Sequence, residues 1–447
     1  MDRTATSVAA GIVGATSDPA VERRARRVPA SRTAPPVHPG LRAIFAGFDA
    51  AAVSWCVLRG ELDLESPRGD TDLLVSATDL EAARRVLVEA GWVEERAWGL
   101  KPHRAFLGFD VGTGTWLKLD IVTECAFGAH SELRLPGAEV ILARRRRSGG
   151  VWVPESSDAF WLLLLHALLD KDGVAEKYRP RLATLAPAAL AVASREHDPA
   201  SFVDRLRGQG WTAETIAGAA ARGEWTALYQ AGAALRSAWA GRERIRSRAV
   251  VAWRAFARRA GWRIGLVPSG LTVAILGPDG AGKSTLIEAM SGAFPVPSRA
   301  IYMGLYKRKI RLPGIGLLAR TLLQRLRYLL GRYHRARGRI VLFDRYTFDA
   351  LVQEHAAPGW KKRIHTWLLA HAAPPPDLTL VLDLPGDTMH ARKGERDPDT
   401  LERMRAGYRA IAERPGSAAL DATAPAEHVA RTATGLIWTA LARGQRG

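Results

Sequence analysis

Apolar and polar positions change period several times along the chain, and each change marks a different kind of element. After residue 41 the run VSWCVLRG predicts a buried strand, and DTDLLVS predicts a second. SATDLEAARRVLVEAG then shows helical spacing, with Thr78 or Asp79 placed to start the helix and Gly91 to end it. HRAFLGFD and TWLKLDIVT follow as strand-like runs joined by the Gly-rich turn VGTG. Together they predict an α+β unit over residues 41–150, closed by the ARRRRSGG break. Residues 151–265 are helical in texture, Ala-rich and Trp-bearing, with no repeat of fixed period; they predict a helical connector. Residues 266–447 change again. LTVAIL, RIVLFD and LTLVLDL are apolar strands alternating with helical segments, the pattern of a parallel sheet with helices on both faces. Residues 1–40 show no hydrophobic period, carry RRARR, and are expected to be a flexible basic tail.

Composition narrows the class. A chain of 447 residues with 47% hydrophobic and 24% charged residues is an ordinary globular composition, which argues against a fibrous or mostly disordered protein. The longest apolar run, residues 159–169, falls well short of the ~20 residues a bilayer demands. The N-terminal stretch lacks a sustained apolar core, so no secretory signal is expected. Two cysteines, Cys56 and Cys125, build neither a disulfide framework nor a four-thiolate metal site, and suit a reducing cytoplasm. Charge changes the picture more. Lys and Arg number 64 against 45 Asp and Glu, a net +19 that favours polyanionic partners or phosphorylated substrates.

The sharpest chemical signal is residues 277–285, GPDGAGKST, set between the strand LTVAIL and the helical run STLIEAM. Gly277, Gly282, Lys283 and Ser284 satisfy the G-x-x-x-x-G-K-[ST] spacing in the strand–loop–helix context that the motif requires. Gly277, Asp279, Gly280, Ala281, Gly282, Lys283, Ser284 and Thr285 are therefore the candidate ATP-binding residues. Their backbone N–H groups can converge on phosphate oxygens, and the helix presents its positive end to the same anion. Lys283 is expected to reach the β- and γ-phosphates and Ser284 to ligate Mg²⁺.

The wording of this loop resembles the thymidylate-kinase-like branch of the P-loop kinases. Further segments fall in the order that family uses. FDRY, at 343–346, is similar to its Asp-Arg motif; the resemblance implies that Arg345 contacts the acceptor phosphate and Asp344 organises Mg²⁺ and its waters. LDLPGDTMHARKGERDPD, at 382–399, resembles the strand-then-lid segment, which makes Arg392 and Arg396 lid candidates. Arginines suit that role on physical grounds, because phosphoryl transfer is mostly positioning and neutralisation of oxygen charge. Asp279, by the same resemblance, faces the acceptor's sugar. Asp383 ends a strand and is equally consistent with assisting Mg²⁺ and with a structural role.

One stretch departs from a housekeeping thymidylate kinase. Between Arg299 and Phe343 there is no acid and there are twelve basic residues, among them Lys307, Arg308, Lys309 and Arg311. It includes the amphipathic run LLARTLLQRLRYLLGRY. Its position, between the phosphate loop and the Asp344–Arg345 pair, predicts an acceptor-side element. A polyanion clamp, a membrane-surface helix and a solvated basic face with its leucines in the core are the other readings.

In the first unit, Asp70 and Asp72 share one face of a strand because side chains alternate with period two, and Asp120 lies on a later strand. Three such carboxylates suit a divalent cation. The stretch from VLRG through GDTDLLV to LKLDIVTE resembles the core of polymerase-beta-type nucleotidyltransferases. Members active in nucleotidyl transfer usually carry a Gly-Ser pair ahead of the two aspartates; here Leu58, Arg59, Gly60 and Glu61 stand in that place.

The expected molecule is thus an ATP- and Mg²⁺-dependent kinase of α/β class. Its C-terminal P-loop domain would be joined through a helical connector to an α+β nucleotidyltransferase-like domain, and it would act on a nucleotide, nucleoside or other small sugar or phosphate acceptor. A bifunctional enzyme whose first domain transfers a nucleotidyl group is the first alternative. A nucleotide-gated protein binding nucleic acid or acidic lipid is the second and less favoured. The acceptor's identity and the oligomeric state stay open, a dimer being consistent.

Overall fold

The computed structural model describes residues 36–445 apart from 60–62, 68, 96–102, 129–130, 132, 172, 192–198, 206–209, 243–248, 250–251, 254–255, 257–269, 305–314 and 353–358. Most of the basic tail, Gly60, Glu61, the end of the connector and Lys307, Arg308, Lys309 and Arg311 lie outside the described residues.

The first region opens with α1 (Pro39–Ala50), where Pro sits at the first position and the His38 ring accepts a hydrogen bond from the Gly40 N–H at 3.2 Å. Five strands follow: β1 (Trp55–Val57), β2 (Asp70–Val75), then α2 (Leu80–Glu89), β3 (Val93–Glu94), β4 (His103–Asp110) and β5 (Thr115–Val122). They form one mixed sheet, in the order β1-β2-β5-β4-β3, parallel only between β2 and β5. Asp79 does stand at the start of α2, but its carboxylate accepts from the Ser54 N–H at 2.8 Å, tying the helix to the strand before it. Gly91 takes the positive φ of 83° that ends the helix and that a side chain would resist.

A short hairpin, β6 (Cys125–Phe127) and β7 (Leu133–Leu135), leads to α3 (Ala138–Arg144) and a second hairpin, β8 (Arg146–Ser148) and β9 (Val151–Val153). Val151 and Val153 enter the core of the first sheet, so the ARRRRSGG stretch turns within a hairpin. Five helices come next: α4 (Ser156–Asp170), α5 (Arg179–Ala191), α6 (Pro199–Arg205), α7 (Ala213–Ala221) and α8 (Trp225–Arg242). Nearly every residue of α4 is buried, because it lies between the sheet side of Cys56, Leu74 and Val122 and the other helices. A helix apolar on all sides belongs in such a place.

The last region alternates strand and helix as its sequence pattern demands: β10 (Leu271–Leu276), α9 (Lys283–Met290), β11 (Ser298–Tyr302), α10 (Ile315–Ala336), β12 (Ile340–Asp344), α11 (Asp349–Val352), α12 (Trp360–Ala370), β13 (Leu378–Asp383), α13 (Gly386–Lys393), α14 (Pro398–Ala412), β14 (Ser417–Asp421) and α15 (Ala426–Arg443). All five strands are parallel, in the order β11-β12-β10-β13-β14. The chain leaves β10 to one side and later returns to the other. The crevice beyond the carboxyl end of β10 is therefore the topological switch point, where open α/β sheets bind ligands.

The first and last regions share a core. Val93 and Leu107 pack with the α15 side chains, and the Trp116 and Trp438 rings meet edge to face with centroids 4.6 Å apart. Trp438 Nε1 donates to the Leu107 carbonyl at 3.1 Å, and Trp116 Nε1 to that of Ala293, just past α9, at 2.9 Å.

Helix α10 does not bury its leucines. Leu318, Leu322, Leu326 and Leu329 are each more than half exposed, while Gln324 and Gly331 are buried. A Cβ at Gly331 would come within 2.5 Å of the Phe343 ring, so the glycine lets the helix lie close to β12. The reading that put these leucines in the core is thereby corrected. Trp360, Ile364 and Trp367 of α12 extend the exposed apolar surface, a usual mark of an interaction face. No helix among the described residues is long and apolar enough to cross a membrane.

Candidate active site

Every residue of β10 is buried, and the chain leaves its end through Gly277, Gly280 and Gly282, all at positive φ. Gly280 shows why glycine is needed. At φ 91°, a Cβ there would stand 2.8 Å from the Met389 carbonyl oxygen of α13. Lys283 opens α9, and Ser284 and Thr285 stand exposed in its first turn, where the helix N–H groups lack intrahelical partners. The Lys283 side chain is only 7% exposed, and its Nζ donates to the Gly277 and Pro278 carbonyls at 2.8 and 2.7 Å. Burial, with the charge of Arg345 beside it, lowers its pKa to about 8.

Asp344 ends β12, in register with Ile275 of β10 and Tyr302 of β11. Arg345 follows at φ 67°, a left-handed conformation costing a residue with a side chain about 1–2 kcal/mol. Its guanidinium donates to the Asp279 carboxylate and lies 3.5 Å from Asp349. Burial alone would lower the Arg345 pKa, but Asp349 and Asp279 outweigh it and raise it. Asp279 moves the other way: burial opposes its charge, and Arg345 and Lys283 hold its carboxyl below the usual range. Asp279, Lys283 and Arg345 thus form one connected cluster beside the phosphate loop.

Arg392, in the last turn of α13, and Arg396, in the turn before α14, are both exposed. The His390 ring and the Arg396 carbonyl are 2.8 Å apart, which pins this turn. Asp383 is engaged by Arg405 at 2.5 Å and Arg409 at 2.7 Å, both from α14, so its carboxylate joins strand to helix. Sequence reasoning missed Asp349, Tyr408, Arg405 and Arg409. An acid within the otherwise apolar stretch FDALV was the one available signal for Asp349.

In the first region, Asp72 and Asp120 are direct partners across β2 and β5, and Asp70 is opposite Lys118. The three aspartates do share a sheet face, as the alternation requires. Cations stand among them. Arg59 pairs with Asp72 at 2.8 Å, and Lys118 lies 2.9 Å from Asp70 and 3.7 Å from Asp120. Burial pushes the Asp120 carboxyl up to about 6; Lys118 draws it down, while Asp70, Asp72 and Glu95 add to the rise. Its Oδ1 is buried with no hydrogen-bond partner. Among the described residues no group of three or more His, Cys, Asp or Glu side chains is arranged to hold a metal ion.

A parallel sheet with a complete phosphate loop at its switch point defines an α/β protein of the P-loop class. The thymidylate kinase of Xanthomonas campestris pv. campestris (strain B100) is 35% identical over 204 residues, covering 40% of this chain and 88% of that enzyme. The thymidylate kinase of Xanthomonas oryzae pv. oryzae (strain PXO99A) is 36% identical over the same extent. That of Xylella fastidiosa (strain M12) is 31% identical over 201 residues, covering 39% of this chain and 90% of that enzyme. The chain belongs to the thymidylate kinase family of phosphotransferases. A solved thymidylate kinase from Candida albicans aligns with 20% identity and a TM-score of 0.30, over 38% of this chain and 91% of that one. No family model matches the chain.

Proposed function

We propose that the C-terminal region transfers the γ-phosphoryl group of ATP to a nucleotide acceptor, with thymidylate the first candidate. What supports this is that Lys283 and Arg345 both pair with Asp279, beside the phosphate loop at the end of β10. In this reading the backbone of Gly277, Asp279, Gly280, Ala281 and Gly282, with Lys283, Ser284 and Thr285, holds the ATP phosphates. Arg345 receives the acceptor phosphate, and Arg392 and Arg396 close over the group in flight, excluding water and neutralising its oxygens. Ser284 and Asp344 offer a hydroxyl and a carboxylate at the ends of adjacent elements, the hard oxygen donors that Mg²⁺ takes. When bound, the ion supplies charge neutralisation between the phosphates. The acid-free segment 299–343 would flank the acceptor and set its identity. A screen of nucleoside monophosphates and sugars with labelled ATP tests the proposal. Transfer to at least one nucleotide is expected, and ATP hydrolysis without transfer to any of them would overturn it.

The N-terminal region we read as a nucleotidyltransferase-like module. Pairing of Arg59 with Asp72 and of Lys118 with Asp70 favours a substrate-holding or structural role over nucleotidyl transfer.

A further inference from the structure

Arg345 is held from two sides, and the second side belongs to no motif. Asp349, at the start of α11, is 3% exposed and stands one turn beyond Arg345, 3.5 Å from its guanidinium. Its other oxygen accepts a 3.0 Å hydrogen bond from the Tyr408 hydroxyl, itself on a 2%-exposed side chain of α14. A buried carboxylate is costly unless its lone pairs and charge are met. Here they are met by one phenol and one guanidinium. Arg345, in turn, occupies a backbone conformation that L residues avoid, so the surrounding contacts must hold it there. Helix α14 also carries Arg405 and Arg409 to Asp383 at the end of β13, and starts immediately after the turn bearing Arg396. One helix therefore braces both strand ends that flank the phosphate loop.

We propose that Asp349 and Tyr408 are positioning residues for phosphoryl transfer: Tyr408 orients the Asp349 carboxylate, and Asp349 with Asp279 clamps Arg345 in the pose that receives the acceptor phosphate. This rests on the reading of Arg345 as the acceptor's ligand. Neither residue touches the reacting atoms. Burial pushes the Asp349 carboxyl up to about 6, while Arg345 and Lys283 draw it down, which matches an acid whose charge is sustained by its cationic neighbours.

The test is steady-state kinetics of the full chain with thymidine 5′-monophosphate and ATP. Tyr408→Phe keeps the ring and removes the donor; Asp349→Asn keeps the shape and removes the charge. Each is expected to raise the thymidine monophosphate KM by about tenfold, the loss of one well-made hydrogen bond, with the ATP KM moving less than about twofold. Far-UV circular dichroism checks folding, and if Asp349→Asn does not fold, Tyr408→Phe decides alone. Equal rises in both KM values would mean a merely structural role and overturn the proposal, as would unchanged kinetics in both variants. Arg345→Ala separates the two levels. If it abolishes transfer while the other variants behave as wild type, the clamp is wrong and the acceptor reading stands. If it leaves the acceptor KM and kcat unchanged, the acceptor reading fails and the clamp with it.

Discussion

The phosphate loop and the aspartate face of the first sheet use similar side chains to opposite ends. At the loop, the local chemistry is mostly backbone: three glycines at positive φ lead into a helix start, and Lys283 rests on two carbonyls. Nothing anionic competes there except Asp279, which Arg345 engages. On the first sheet the charged face is made of side chains. Asp70, Asp72 and Asp120 share one face because strand pleating leaves them no alternative, and Arg59 and Lys118 answer their charge within the protein. The difference teaches that convergence of charged groups is not yet a site. A cradle made of backbone dipoles keeps its affinity for an anion, whereas carboxylates paired internally must first give up their partners.

The largest effect expected from breaking this comparison comes at Lys283. Lys283→Ala removes the one cation buried in the loop, and phosphotransfer should fall by about 10³-fold or more, since oxygen charge is neutralised by few groups in such sites. Folding, followed by far-UV circular dichroism and thermal melting, should survive. Wild-type turnover in the purified variant would remove the loop from the mechanism. A pH dependence sharpens the same point. With its pKa lowered to about 8, the free-protein Lys283 is charged below that value and loses its proton above it. ATP affinity, measured by titration calorimetry, should therefore weaken as pH rises through 8. For stability the sign is reversed: a depressed lysine pKa favours the folded state above the unfolded value of about 10.4, and that gain is lost as pH falls through 8.

The contrast also explains what could be read from the sequence. The loop is legible because its chemistry is local: spacing, strand, helix and glycine conformations all fall within residues 271–290. The strand pattern that predicted a parallel sheet was legible for the same reason, and so was the shared face of Asp70 and Asp72. What the sequence could not show is long-range pairing. Asp349 is distinguished by Tyr408, Asp383 by Arg405 and Arg409, and Asp72 by Arg59. Trp116 meeting Trp438 falls in the same class. The exposure of Leu318, Leu322 and Leu326 escaped for a different reason: an amphipathic period tells which residues share a side of α10, and packing decides which side is turned inward.

The smallest effect, and the one that probes the other half of the comparison, is at Asp120. Its carboxyl is raised to about 6 in the folded chain by burial and by neighbouring carboxylates, against an unfolded value near 3.8. An acid shifted upward holds its proton more tightly when folded. Its favourable contribution is thus complete below about pH 4, the unfolded value, and is lost as pH rises through 6, leaving a half-buried charge with one oxygen that accepts no hydrogen bond. Asp120→Asn should therefore stabilise the protein by about 1–2 kcal/mol at pH 7.5 and change little at pH 4, read as thermal melting points across that range. Cation titration then separates the two meanings of the cluster. If Asp70, Asp72 and Asp120 act as an internally paired face, Mn²⁺ should move the melting points of wild type and Asp120→Asn equally. If Mn²⁺ stabilises the wild type and loses that effect in the variant, the three carboxylates exchange Lys118 and Arg59 for a metal ion. The first sheet would then be a second binding site, and the distinction drawn between the two regions would fall.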